Sequence, residues 1–239
     1  MADDKKDKDS DTSKPKGSCL GKLSGLFLFV MFSSLLAALF FISQPQDLTK
    51  IDGYGPAAKM MPSRDLRTVL HNAAERGFPV TITEEELNRY LANTLQTRQG
   101  GLLSEHSSLD AVWINLEADR AEVILDRHVF GRPLTLSMFL RVEQHLNGKG
   151  IPGIDVLRNG GPYVKDSPLP NQGGRFGQLI VPEGFLLLIM PSMEKLAKAY
   201  SEELLSLQEM ARIRIDEGRI TFDPRGNNGP ALPAPPSSF

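Results

Sequence analysis

Residues 112–142 read VWINLEADRAEVILDRHVFGRPLTLSMFLRV, and the period of that stretch decides the fold. Val112, Ile114 and Leu116 alternate with Trp113, Asn115 and Glu117, and Ala121, Val123 and Leu125 alternate with Glu122, Ile124 and Asp126. Beyond Phe130-Gly131-Arg132-Pro133, the series Leu134, Leu136, Met138, Leu140 and Val142 alternates with Thr135, Ser137, Phe139, Arg141 and Glu143. A period of two sends successive side chains to opposite faces, so antiparallel strands are expected, one face buried and the other wet.

Upstream the period lengthens to that of a helix. Leu66, Val69, Leu70, Ala73 and Ala74 recur at helical spacing, with Ser63 expected as the cap and Gly77 as the stop. After the extended Phe78–Ile82, Thr83-Glu84-Glu85-Glu86 spells a capping box, and Leu87, Tyr90, Leu91 and Leu95 make the stripe of the next helix. Three acids in its first turn complement the helix dipole and need no catalytic or metal-binding role. Gln96 to Ser108 reads as a loop.

Downstream, Ile154, Val156 and Leu157 suggest a short strand, followed by a Pro/Gly/Asn-rich loop to Gly174 and a strand from Phe176 to Pro182. A helix from Glu183 or Ser192 to Leu207 carries Ile189, Met193, Leu196, Tyr200, Leu204 and Leu207 on one stripe, with Pro191 as a kink or restart. Ile213, Ile215, Ile220 and Phe222 flank Asp216-Glu217-Gly218-Arg219, a hairpin.

Near the start, Leu23 to Ile42 (LSGLFLFVMFSSLLAALFFI) has no charged residue. At ~1.5 Å per residue such a helix matches the ~30 Å hydrocarbon core of a bilayer. The run exceeds the apolar core of most signal peptides and closes without a small-residue cleavage site, so an uncleaved anchor is expected. Lys5, Lys6, Lys8, Lys14, Lys16 and Lys22 precede it, against Lys50 and Lys59 after it, which places the N-terminus in the cytoplasm. The domain beyond would then be periplasmic or extracellular, held on the inner (plasma) membrane by a single pass.

The organisation expected is a disordered cytoplasmic tail (1–22), a transmembrane helix (23–43), a linker (44–62), an extracytoplasmic α+β domain (63–223) and a disordered Pro-rich tail (224–239). In that α+β domain a curved antiparallel sheet packs against a long C-terminal helix and the N-terminal helices. Cys19 is the single cysteine, which excludes an internal disulfide and a cysteine metal site.

Chemistry is sparse. The chain has 27 Lys and Arg against 29 Asp and Glu, with no basic stripe after the anchor, so nucleic acid is not expected as a partner. His71, His106, His128 and His145 lack metal-site spacing, and no metal or cofactor is expected. Gly148-Lys-Gly-Ile-Pro-Gly153 satisfies a dinucleotide string but has Pro152 inside it and a strand after it, so it reads as a turn. Glu84, Glu85, Asp110, Asp126 and Asp155 pair no carboxylates by spacing, so no catalytic residue is assigned.

Ile82-Thr-Glu-Glu-Glu-Leu87-Asn88-Arg-Tyr-Leu91, Val129-Phe130-Gly131 and Gly177-Gln-Leu179-Ile-Val-Pro182, in that order behind an anchor, resemble bacterial membrane-anchored proteins of the YpmS-like type over about residues 78–222. It departs from that pattern in the glycine-rich insertion, Asn159 to Gly174, and in the Pro-rich tail. The resemblance brings no activity with it. It implies a strand and helix order similar to domains whose sheet wraps a helix and holds a lipid in the gap, which is a likeness of fold and not of function. The expected ligand wall is Leu136, Met138, Leu140, Phe185, Leu188, Met193, Leu196 and Tyr200, unless those faces close on each other as a dry core. The expected function is a non-enzymatic domain binding a lipid or a membrane-protein partner. The alternative is an envelope hydrolase acting on cell-wall or lipid material.

Overall fold

The computed structural model describes residues 19–98, 107–146 and 152–225. The tail sequences 1–18 and 226–239, His106, most of the Gln96–Ser108 loop and the turn at 147–151 lie outside the described residues. Contacts divide the chain into two compact units, Met1–Phe40 and Phe41–Phe239. Helix α1 (Cys19–Ser43) makes up the described part of the first, and its last residues belong to the second. It is long and apolar enough to cross a membrane, and none of its apolar window is buried.

In the second unit the order continues α2 (Ala57–Met60), α3 (Leu66–Arg76), β1 (Val80–Thr83), α4 (Glu84–Arg98), β2 (Ser107–Glu117), β3 (Arg120–Val129) and β4 (Arg132–Leu146). Then come β5 (Pro152–Leu157), β6 (Gln172–Phe176), β7 (Leu179–Pro182), a 3-10 turn (Glu183–Leu188), α5 (Met190–Ala199), α6 (Ser201–Gln208), β8 (Arg212–Asp216) and β9 (Arg219–Asp223). The strands form an antiparallel sheet in the order β2-β3-β4-β6-β7, with β5 on the far half of β4, and a second sheet β1-β9-β8. The architecture is α+β.

Local signals account for several boundaries. Gly77 ends α3 in the left-handed region at φ 65°. Thr83 and Glu86 form the reciprocal capping box, with the Glu86 N–H donating to Thr83 Oγ1 at 3.2 Å and the Thr83 N–H to Glu86 Oε2 at 3.0 Å. The cap of α3 is Asp65, not Ser63: its carboxylate accepts from the N–H groups of Arg67 and Thr68, which the hydroxyl two residues earlier does not do here.

Three expectations change. The long C-terminal helix is not formed; its segment is a 3-10 turn and two short helices. Pro191 opens α5, where a missing N–H costs nothing, and Tyr200 leaves helical geometry at φ −113°, ψ 29°, separating α5 from α6. The strand from Phe176 to Pro182 is part of a hairpin, turned at Gly177 with φ 56°. The third change concerns the wet face. Trp113, Glu122, Ile124, Thr135, Ser137 and Phe139 are all buried there, at 0–3% exposure, because residues expected to form a linker lie over part of it. Leu48, Ile51 and Ala58 pack with Ala92, Ala111, Trp113 and Ile124 in one cluster.

The opposite face carries the main core. Val112, Leu125 and Met138 meet Phe176, Val181, Leu186, Ile189 and Met193, and the same cluster runs on through Tyr90, Tyr200, Ile213 and Phe222 to α3 and the small sheet. Burial of apolar area on this scale is the main driving force for the fold.

Candidate functional site

Of the residues expected to wall a ligand, Met138, Met193 and Tyr200 are buried in the main core, and Leu136, Leu140 and Leu196 pack against it. The structure thus brings six of the eight into one cluster. Phe185 and Leu188 stand apart on the 3-10 turn, 53% and 72% exposed.

One of the eight, Tyr200, also borders an apolar groove of about 130 Å³. Leu66 and Leu70 of α3, Leu87 and Leu91 of α4, Leu204 and Leu207 of α6, and Ile82, Ile114 and Phe222 of the strands supply its walls. The stripes of three amphipathic helices converge here on two sheets, and helices meeting at an angle leave a gap between their ridges. Both tyrosine hydroxyls at the groove are engaged. Tyr90 Oη donates to Glu203 Oε1 at 2.5 Å, and the Tyr200 hydroxyl lies 3.0 Å from Thr94 Oγ1. The two tyrosine rings are tilted with centroids 6.4 Å apart. An ion pair between Arg67 and Glu202 links α3 to α6 outside it.

A second cavity, about 380 Å³, is polar and open, with Lys50, Asp52, Glu84, Glu117 and Glu217 on its walls. Glu84 is 4% exposed and spends both oxygens on backbone, accepting the Asp52 N–H at 2.8 Å and the Leu116 N–H at 2.5 Å. Burial pushes its carboxyl above the usual range, against those two bonds. A carboxylate held this way ties the start of α4 to the backbone at Asp52 and to β2. Among the described residues no group of three or more His, Cys, Asp or Glu could hold a metal ion.

Sequence reasoning did not find a third polar group, the layer under residues 44–62. Glu122, fully buried, accepts from Ser137 Oγ at 2.5 Å and Gln46 Nε2 at 3.1 Å, and Arg175 Nε lies 3.7 Å from the same oxygen. Arg120 stacks over the fully buried Phe139 ring at 4.3 Å. The available signal was the large apolar residues Trp113, Ile124 and Phe139 on the strand face read as wet. Among the histidines, His71 pairs with Glu75, His145 with Asp155 and His128 with Asp110, each at a surface position.

The fold and these cavities define an α+β domain that follows one apolar helix. No protein-family profile, no curated protein and no solved structure matches the chain.

Proposed function

We propose that the chain is a membrane-anchored domain on the outer face of the plasma membrane that binds an apolar ligand and carries out no reaction. α1 is the anchor, with the N-terminus cytoplasmic. The observation that carries the binding role is the apolar groove between α3, α4 and α6. Its volume sets the ligand: an apolar cavity of about 150 Å³ takes a benzene-sized guest, whereas whole drug-sized ligands need roughly 300 Å³ or more. At about 130 Å³ the groove holds the end of one acyl chain, not a whole lipid. The anchor keeps acyl chains at high local concentration, which makes even weak capture effective. The resemblance to YpmS-like proteins belongs to the same reading.

A hydrolase is the weaker reading because Glu84, the buried acid of the polar cavity, is committed to backbone N–H groups.

Native mass spectrometry of the full chain extracted in mild detergent tests the proposal. One lipid per chain is expected, and Leu204→Asp should remove it without lowering the melting temperature, because Leu204 is 42% exposed at the rim. A ligand-free mass for the wild-type chain overturns the binding role. Protease added to intact cells tests the placement: it should digest the domain, and a domain that survives overturns the orientation.

A further inference from the structure

One wall of the apolar groove is Phe222 of β9, and the chain leaves the described fold directly after that strand. Phe222 pairs with Val80 on one side and with Ile213 on the other. The Asp223 carbonyl accepts the Ala211 N–H at 2.9 Å, and Ala211 follows Leu207, another wall of the groove, by one turn of chain. The fully buried Asp223 carboxylate accepts from Arg212 Nη2 at 2.7 Å, from the Arg225 N–H at 3.0 Å and from Arg225 Nε at 2.8 Å. The point of departure is thus pinned as far as Arg225. At ~3.3 Å per residue Arg225 lies within roughly 10 Å of the groove wall at Phe222.

Residues 226–239, which come next, read GNNGPALPAPPSSF. None is charged, so the stretch can enter apolar walls with no ion to desolvate. Leu232 stands between Pro230 and Pro233. Proline fixes φ in advance, so a Pro-rich segment loses little freedom on docking, and aromatic-lined grooves are its usual seat. Tyr90, Tyr200 and Phe222 are the aromatic walls of this one. At about 130 Å³ the groove suits one leucine side chain, since an apolar cavity of about 150 Å³ takes a benzene-sized guest. From Arg225 to Leu232 a Pro-rich chain spans up to roughly 22 Å at ~3.1 Å per residue, about twice what the return to Phe222 requires. So short a tether holds Leu232 at millimolar effective concentration, and a modest apolar contact then suffices.

We infer that residues 226–239 dock back on their own domain, with Leu232 in the groove between α3, α4 and α6, and that an acyl chain entering the groove displaces them. The docking needs no lipid; the displacement rests on the ligand reading proposed above. Between ligands the stretch keeps apolar walls from water, and ligand binding releases it.

The test uses the full chain with Cys19→Ser, which removes the native thiol, in glyco-diosgenin, whose rigid sterol rings are too wide for the groove. Leu232→Cys is combined with Leu204→Cys at the groove rim or, as the control, with Leu205→Cys. Both α6 positions are exposed, at 42% and 60%, so neither change should cost the fold, and adjacent residues on a helix face different ways. On mild oxidation the 204–232 bond should form about tenfold faster than the 205–232 bond, because docking concentrates the Leu232→Cys thiol at one face only. Decanoic acid should slow the first bond to the rate of the second. Equal rates without the acid overturn the docking and leave lipid binding standing, since mass spectrometry of the unsubstituted chain reads that separately. A fast 204–232 bond that decanoic acid does not slow supports the docking and overturns the displacement, and the ligand reading with it. Disulfide-linked dimers that grow with protein concentration put the stretch of a second copy in the groove and overturn the inference.

Discussion

Asn88 takes the place of a neighbouring strand on Ile114: its Oδ1 accepts the Ile114 N–H at 2.7 Å and its Nδ2 donates to the Ile114 carbonyl at 2.9 Å. Ile114 is on β2, the edge of the larger sheet. Beyond it, Glu84 takes the Leu116 N–H and the Gly218 N–H serves the Leu116 carbonyl. An edge strand left open is a template for pairing with other chains, and here α4 and the small sheet close it with side-chain and turn hydrogen bonds.

Asn88 is fully buried and also donates to the Asp52 carbonyl at 2.8 Å. Asn88→Leu would leave the backbone of Ile114 and the carbonyl of Asp52 unsatisfied. Each stranded group costs about 1–3 kcal/mol, so a loss of about 3 kcal/mol or more is expected in urea melts. Asn88→Asp should do similar harm at neutral pH, since a carboxylate would face two carbonyl oxygens. It should recover in acid, where the protonated group can donate again. Equal stability of Asn88→Leu and the wild type would remove α4 as the guard of this edge.

Gly174 and Gly177 make a different prediction, because at each the fold leaves no space for a methyl group. A Cβ on Gly174 would lie 1.9 Å from the Ser137 carbonyl oxygen, so Gly174→Ala must push β6 off β4. A cost of about 3 kcal/mol is expected, at the upper end for overpacking. At Gly177, already at φ 56°, a Cβ would lie 2.4 Å from the carbonyls of Ile42 and Gln44. Gly177→Ala should loosen the segment after the apolar helix and speed tryptic cleavage at Lys50. Gly184→Ala serves as the control, since an added Cβ there meets nothing within 4 Å and its φ lies outside the left-handed region.

Strand existence was legible because alternation survives whatever packs on the sheet, and the capping box at Thr83 and the hairpin at Gly218 are local rules that tertiary contacts did not override. What covers the second face was not legible. Leu48, Ile51 and Ala58 follow neither period, and the Pro/Gly-rich stretch around them looks like a linker until Trp113 and Ile124 are seen beneath it. The groove was only touched through Tyr200. Periodicity tells which face of α3, α4 and α6 is apolar, but whether those faces close or leave a gap depends on how the helices cross.

Phe130 and Gly131, at φ 50° and 75°, are the two central residues of the β3–β4 hairpin. Replacing Phe130 with Asn suits the left-handed conformation, for which a bulky residue pays about 1 kcal/mol. Phe130→Asn should therefore melt a few degrees higher than wild type. A lower melting temperature would mean that the ring supports the fold itself.

His128 and Asp110 give the pH dependence. The hydrogen bond that the imidazole donates to Asp110, and then the charge of that carboxylate, raise His128 above its ordinary value of 6.5, against an opposing effect of burial. Asp126, itself raised by burial and by the charge of Asp110, faces the same histidine. A group whose folded pKa is raised contributes stability that is complete below its unfolded pKa and is lost as pH climbs through the folded value. Stability from this pair should thus be full below about pH 6.5 and fall above it. Below that window the raised carboxyls of Glu84 and Asp126 add their own decline with rising pH, so the pair must be isolated by difference. Melting temperatures of the wild type and His128→Gln, measured across neutral and alkaline pH, should differ most at the acid end and converge as the imidazole loses its proton. A constant difference would mean that the pair acts through packing and not through charge.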